Sequence, residues 1–352
     1  MPELVWLYLT ALVYYRTSGS CVAVAEALET VSHDRLTRML QGHWSGQTLL
    51  DLAVRTLFTW KRGYLIIDDT VIPKPFATAM EGLAWVFSSQ EHKPIYGFSL
   101  VLLVWTNGTF RIPLGLRLWH KGGPSKYVLA LELLSYARNR LRCHPEYVLF
   151  DAWYPSKALL KRIRDYGWYF ICRLKKNRRF NGHALRHHRH HPYWAECGRL
   201  SGGLKVLVVR YGKKYYATNR LTLTALEVRR LYHVRSQIEE VIRVCKDQLG
   251  LTGCQARSER AQRHHLACCL AAFCVLERER HDRHLSIYQL KRQLSFKGHS
   301  LALPSLERLR QAAGRVLDLD FHCPVCHAVT LFEGGTPWYS HQFVALTVSA
   351  SR

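Results

Sequence analysis

Three acidic segments far apart in the chain carry the side chains best suited to chemistry: IIDDT (66–70), VLFD (148–151) and RSQIEEV (235–241). Carboxylates gathered in one place repel unless cations join them. Mg²⁺ takes such oxygens and keeps positions open for phosphate and water. Two Mg²⁺ (or Mn²⁺) ions about 3.5–4 Å apart can activate an attacking oxygen and stabilise a departing one at phosphorus. The candidate catalytic residues and metal ligands are therefore Asp69, Asp151 and Glu239, and the reaction would be phosphodiester cleavage or strand transfer. Asp68 competes with Asp69, because strand alternation puts it on the opposite face from Ile67 and Asp69. A single Asp is more simply a turn cap. The case rests on convergence.

The segment YHVRSQIEEVIRVCKD (232–247) carries two stripes. At about 100° per residue, Leu231, Val234, Ile238, Val241, Cys245 and Leu249 fall within roughly 80° and would face the core. Tyr232, Arg235, Glu239 and Lys246 fall within roughly 60° of one another on a second stripe. Arg and Glu four apart are often only a surface ion pair, so the second stripe gains meaning only if other carboxylates meet it.

The elements that must position these groups change character at Gly63. Residues 1–62 carry four short helical patterns, a possible DNA-binding domain or a packing cap. YLIID (64–68) and FSLVLLVW (98–105) are strands, and FRIPLGLRLW follows across Asn107-Gly108, a two-residue hairpin signal. Pro113 in that third run suggests an edge or a bulge. SKYVLALELLSYARNRL is a helix opened by Ser125, EYVLFD a strand, PSKALLKRIRDYG a helix, and WYFICRL a strand. A β-rich insertion at about 175–222 interrupts the pattern, and Thr224 with Glu227 opens the last helix as a capping box. A meander followed by βαβ steps is a mixed sheet covered by helices, and its order resembles the ribonuclease H-like fold. In such a sheet ligand groups converge at the strands' carboxyl ends, where Asp69 and Asp151 lie. The expected organisation is an α/β catalytic domain over 63–253 with its insertion, flanked by helical regions at 1–62 and 254–352.

Lys and Arg outnumber Asp and Glu by 50 to 26, a formal charge of +24, which makes a polyanion the expected partner. The longest apolar stretch near the N-terminus, LVWLYLTALVYY, has 12 residues, too short to span a bilayer, so double-stranded DNA is favoured over membrane. Eleven cysteines without framework spacing suit reduced thiols in the cytosol. Cys323 and Cys326 in FHCPVCH make only half of a zinc site. The histidines of HHRHH (187–191) are a solvated basic loop.

The spacing of Tyr232, Arg235, Glu239 and Lys246 resembles the Y-R-E-K signature of the DDE cut-and-paste transposases of the insertion-sequence-four family. DDT (68–70) is similar to that family's first acidic motif, in which the Asp before Thr is catalytic, and FDAWYPS (150–156) to its second. The resemblance spans roughly 60–250. It implies that Asp69, Asp151 and Glu239 hold divalent metal, and that Arg235 and Lys246 hold DNA phosphates with a hydrogen bond or stacking surface from Tyr232. It further implies end nicking, hairpin formation and joining to target DNA, with terminal inverted repeats as substrate and a dimer on DNA. RLKKNRR (173–179), with Arg173, Lys175 and Lys176, leaves the same sheet edge as the acids and is an expected DNA-backbone contact. The rival readings are a hydrolytic nuclease of the same fold and a DNA-binding derivative without activity.

Overall fold

A computed structural model describes residues 2–60, 62–88, 91–188, 191–297 and 301–320. The Cys323–Cys326 pair lies outside the described residues. Four helices come first: α1 (Pro2–Tyr14), α2 (Cys21–Leu28), α3 (His33–Gln41) and α4 (Gly46–Leu57). Ser20 and Ser45 start α2 and α4 by accepting the backbone N–H groups of Ala23 and Thr48.

The sheet begins with β1 (Tyr64–Pro73), β2 (Ala84–Ser88), β3 (Lys93–Thr106) and β4 (Arg111–Trp119), continues through α5 (Lys126–Asn139), β5 (Tyr147–Phe150), α6 (Lys157–Asp165) and β6 (Tyr169–Leu174). β1 runs five residues past the expected YLIID, and β2 carries no sequence signal strong enough to predict it. The β3–β4 connection takes residues 107–110 instead of two, with the Asn107 side chain accepting the N–H groups of Thr109 and Phe110. Pro113 marks a bulge: the register of β3 and β4 shifts between Leu103 and Val104.

The insertion holds β7 (Arg179–Phe180), β8 (His183–Ala184), α7 (Leu185–His188), β9 (Tyr193–Arg199), β10 (Lys205–Tyr211) and β11 (Lys214–Thr218). It widens the main sheet, since β11 pairs antiparallel with β6 and the order runs β2-β3-β1-β5-β6-β11-β10-β9, with β4 also on β3. Parallel β1, β5 and β6 form its centre. Leu65, Ile66 and Ile67 are buried, as a strand covered on both faces requires, and burial relaxes from Asp68 onward, where the covering layer opens.

The chain closes with α8 (Ala225–His233), α9 (Ser236–Gln248), α10 (Glu259–Asp282), α11 (Ile287–Lys297) and α12 (Pro304–Asp320). Thr224 and Glu227 form the expected capping box. α8 and α9, expected as one helix, are separated at Val234–Arg235, where the N–H groups of Val234, Arg235, Gln237 and Ile238 bind carbonyls three residues back. Such a 3₁₀ turn advances faster than 100° per residue, so the two stripes lose their common phase: Tyr232 is buried against the Tyr216 ring and Val234 only half-buried.

α10 is buried on nearly all sides and packs against α1, α3 and α4, so both terminal regions share one apolar core with the sheet. His265, buried and held neutral with its pKa lowered to about 4 by desolvation, accepts the Tyr8 hydroxyl at Nδ1 and donates from Nε2 to Gly250 O. Gly250 has φ +64°, and a Cβ on Gly253 would lie 1.6 Å from the Ser18 carbonyl oxygen, so the segment after α9 meets the α1–α2 loop backbone to backbone.

Candidate active site

The parallel register of β1 and β5 pairs Ile67 with Phe150. The next residues, Asp68 and Asp151, therefore stand side by side on one face where the two strands diverge. α9 packs over that face. Arg235, at its start, places one guanidinium nitrogen 2.5 Å from Asp68 Oδ2 and another 2.5 Å from Glu239 Oε1. Burial pushes the Asp68 carboxyl up to about 7, the negative charges of Asp151 and Asp69 add to the shift, and Arg235 opposes it. Asp151 is raised in the same way by burial and by Asp69, against the Trp153 N–H that donates to its Oδ1 at 2.8 Å.

Asp69 points to the other face. Its Oδ2 accepts Lys126 Nζ at 2.5 Å and Ser99 Oγ at 3.4 Å, and its Oδ1 accepts the buried Tyr154 hydroxyl at 2.9 Å. The sequence reading put Asp69 at the site. The geometry instead gives Asp68 the position beside Asp151 and Arg235, and gives Asp69 the task of tying the β5–α6 loop and the start of α5 to β1.

Among the described residues, no three His, Cys, Asp or Glu side chains are gathered closely enough to hold an ion. Glu239 stands one guanidinium away from Asp68, with a half-exposed side chain. The donor set nevertheless fits a hard divalent cation: adjacent carboxylate oxygens whose ionised forms are disfavoured by burial and by each other, with a third carboxylate across the Arg235 guanidinium.

Residues 59–275 match the family model described as the transposase DDE domain. The chain belongs to that family. It is an enzyme of DNA transposition, and transposases of this kind use divalent cations. Among solved structures it is similar to the piggyBac transposase in a synaptic complex with hairpin DNA, at 11% sequence identity and a TM-score of 0.53, over 100% of this chain and 80% of that one. At that identity the likeness establishes the ribonuclease H-like fold. No curated protein sequence matches.

The remaining candidates of this transposase are dispersed around the acids. Tyr232 is buried with its hydroxyl unpartnered, and the Arg173 Nε on β6 is likewise buried without a partner. Both lie within electrostatic reach of Asp151. Lys246 sits two turns beyond Glu239, half-buried, where desolvation lowers its pKa against the pull of Asp247 and Glu91. Lys175 and Lys176 are exposed just after β6. Three residues that sequence reasoning missed border the acids: Lys126, Tyr154 and Trp153. The last two lie within FDAWYPS and were legible as part of that motif; Lys126 carries no signal beyond following a helix-opening Ser.

Proposed function

We infer that the protein excises and inserts a DNA element by cut-and-paste, with Asp68, Asp151 and Glu239 as the acidic catalytic residues. The observation that carries this reading is the side-by-side placement of Asp68 and Asp151 just past the end of the parallel pairing of β1 and β5, with Arg235 and Glu239 facing them from α9. The Tyr232–Arg235–Glu239–Lys246 spacing supports a place in the insertion-sequence-four family.

When bound, a pair of Mg²⁺ or Mn²⁺ ions supplies activation of the attacking oxygen and stabilisation of the departing one. The carboxylates of Asp68, Asp151 and Glu239 would hold the ions. Arg235 is a planar donor suited to a bidentate phosphate grip; released from the carboxylates, it turns to the DNA backbone. The Tyr232 hydroxyl and Arg173 Nε, buried without a partner among the described residues, would meet a phosphate beside Asp151 only once the side chains covering them move. Asp69 keeps the two strand ends in register through Lys126 and Tyr154. Double-stranded DNA carrying terminal inverted repeats is the substrate, two protomers pair the ends, and the nine cysteines among the described residues, all free thiols, support a reducing, cytosolic setting. Among the described residues no helix is long and apolar enough to cross a membrane.

The test is cleavage and joining, in Mg²⁺, of DNA ends bearing the inverted repeats that flank the coding region. Asp68→Asn and Asp151→Asn are expected to lose cleavage by about 10³-fold or more, as removal of a preorganised electrostatic group does, while still binding duplex DNA in chelator. Asp69→Asn is expected to retain measurable cleavage. An active Asp68→Asn protein overturns the assignment, and cleavage without joined product makes the protein a hydrolytic nuclease.

A further inference from the structure

β2 ends the sheet on one side: among the described residues it pairs with β3 and with no other strand, so its outer row of N–H and C=O groups is open. Burial alternates along it, with Ala84, Val86 and Ser88 buried and Trp85 and Phe87 71% and 58% exposed. The Trp85 ring lies 5.4 Å from that of Tyr96 on β3, and Phe76, 95% exposed, follows Lys74, whose N–H binds the Tyr96 carbonyl. An edge strand ordinarily carries Lys, Pro or a bulge against unwanted pairing; β2 carries none of them. Residues 75–97 hold two anions, Glu81 and Glu91, and one cation, Lys93, a net −1 in a chain of +24, and Lys93 Nζ lies 3.3 Å from Glu91. A polyanion therefore finds no spare cation in this segment, whereas two copies of a strongly basic chain repel each other least at such an edge.

We propose that the free chain forms a two-fold dimer in which β2 pairs antiparallel with β2 of a second copy, making one continuous sheet. With the axis at Val86, Trp85 stands opposite Phe87 of the second copy and Phe87 opposite its Trp85, on one face. Directly opposed residues have Cβ atoms about 4.5–5.5 Å apart, so each ring left exposed in one copy is covered by a ring of the other. The strand is complementary to itself and needs no foreign sequence. At about 150–250 Å² per aromatic side chain, Trp85, Phe87 and Phe76 leave roughly 400–500 Å² exposed per copy; with the paired backbone the contact approaches about 1,200 Å² in total, the lower bound of specific interfaces, which suits micromolar affinity. The axis runs normal to the sheet, so the faces that carry Asp68 and Asp151 look the same way in both copies. This goes beyond the pairing of DNA ends, because the contact needs neither DNA nor metal.

Sedimentation equilibrium of the full chain, freed of nucleic acid and in chelator, is expected to give a dimer with a dissociation constant on the order of 10 µM. It is expected to tighten as salt is raised, since salt screens the repulsion between basic copies. Trp85→Lys and Phe87→Lys are each expected to weaken association by about 30-fold or more, as loss of an aromatic anchor at an interface centre does, with an unchanged circular dichroism spectrum because both side chains are exposed. Under mild oxidation, mixing Trp85→Cys with Phe87→Cys chains is expected to yield a disulfide-linked dimer that neither variant yields alone, because opposed Cα atoms of an antiparallel pair stand about 4.5–5.5 Å apart, within disulfide reach. A chain still monomeric well above that concentration, a dimer indifferent to Trp85→Lys, or one that loosens in salt overturns the proposal. None of these outcomes bears on the catalytic acids, whose test is cleavage.

Discussion

Neighbouring aspartates that face opposite sides of the sheet make the centre of this molecule sensitive to protonation. In the folded chain the Asp68 carboxyl titrates near 7, whereas unfolded Asp titrates near 3.9. The folded state thus holds the proton more tightly, so the stability contributed by this group is complete below about pH 4 and is lost as pH rises through about 7. Asp151 is shifted in the same direction. Thermal denaturation of chelated protein is expected to show a lower midpoint at pH 8 than at pH 5, with the difference reduced in Asp68→Asn. Added Mg²⁺ is expected to raise the midpoint more at pH 8, because it binds the ionised form. Equal effects at both pH values would argue against a cation at Asp68. The choice between Asp68 and Asp69 was not legible in the sequence: alternation says that the two face opposite ways, but which of them faces α9 depends on the pairing of Ile67 with Phe150, a contact between residues 83 positions apart.

The helices and central strands were legible because their apolar periodicity and caps agree: Thr224 with Glu227, and the Ser residues before α2 and α4. The α8–α9 break was not, since no Gly or Pro marks it and the 3₁₀ turn arises where Arg235 is drawn to Asp68 and Tyr232 to the core. β2 escaped notice because the residues it exposes, Trp85 and Phe87, are themselves apolar, so its regular alternation of burial does not appear in the sequence as apolar–polar alternation. What holds α9 over the sheet is also an element-scale device. Glu277 on α10, fully buried, accepts Arg111 of β4 and Arg280, and Arg111 lies 3.8 Å from Glu240, next to Glu239. Burial alone would raise the Glu277 carboxyl, yet hydrogen bonds from Arg280 and Arg111 hold it below its ordinary value. Glu277→Ala leaves two guanidinium groups without their anion and is expected to cost about 3–5 kcal/mol of stability, measurable by urea denaturation. A cost under about 1 kcal/mol would mean that water replaces the carboxylate freely.

At the scale of the whole chain, the segments before and after the sheet are built into its core, with α10 as the post on which α1, α3 and α4 lean. The change from helices to strands could be read at Gly63, but not this shared burial, because an apolar stripe does not say what it packs against. The backbone contact of Gly253 with Ser18 leaves no room for a methyl group, so Gly253→Ala is expected to prevent accumulation of folded protein, checked by soluble yield and circular dichroism. The excess of positive charge implies strongly salt-dependent binding. Replacing Lys175 and Lys176 with Glu is expected to weaken binding to all DNA sequences alike and to flatten the plot of log affinity against log salt. An unchanged slope would remove these two residues from the phosphate contacts.

Under the proposed function, the shared guanidinium of Arg235 would give the enzyme a form of thermodynamic linkage. It stands between Asp68 and Glu239 as an internal counter-ion; a cation held by these carboxylates would leave it free for phosphate, and a bound phosphate would uncover the carboxylates. Each ligand should then bind more tightly in the presence of the other, by the same factor in both directions. Arg235→Lys, which cannot span two partners in one plane, should weaken that mutual reinforcement more than it weakens either ligand alone, a difference that titration calorimetry with each ligand in turn can measure.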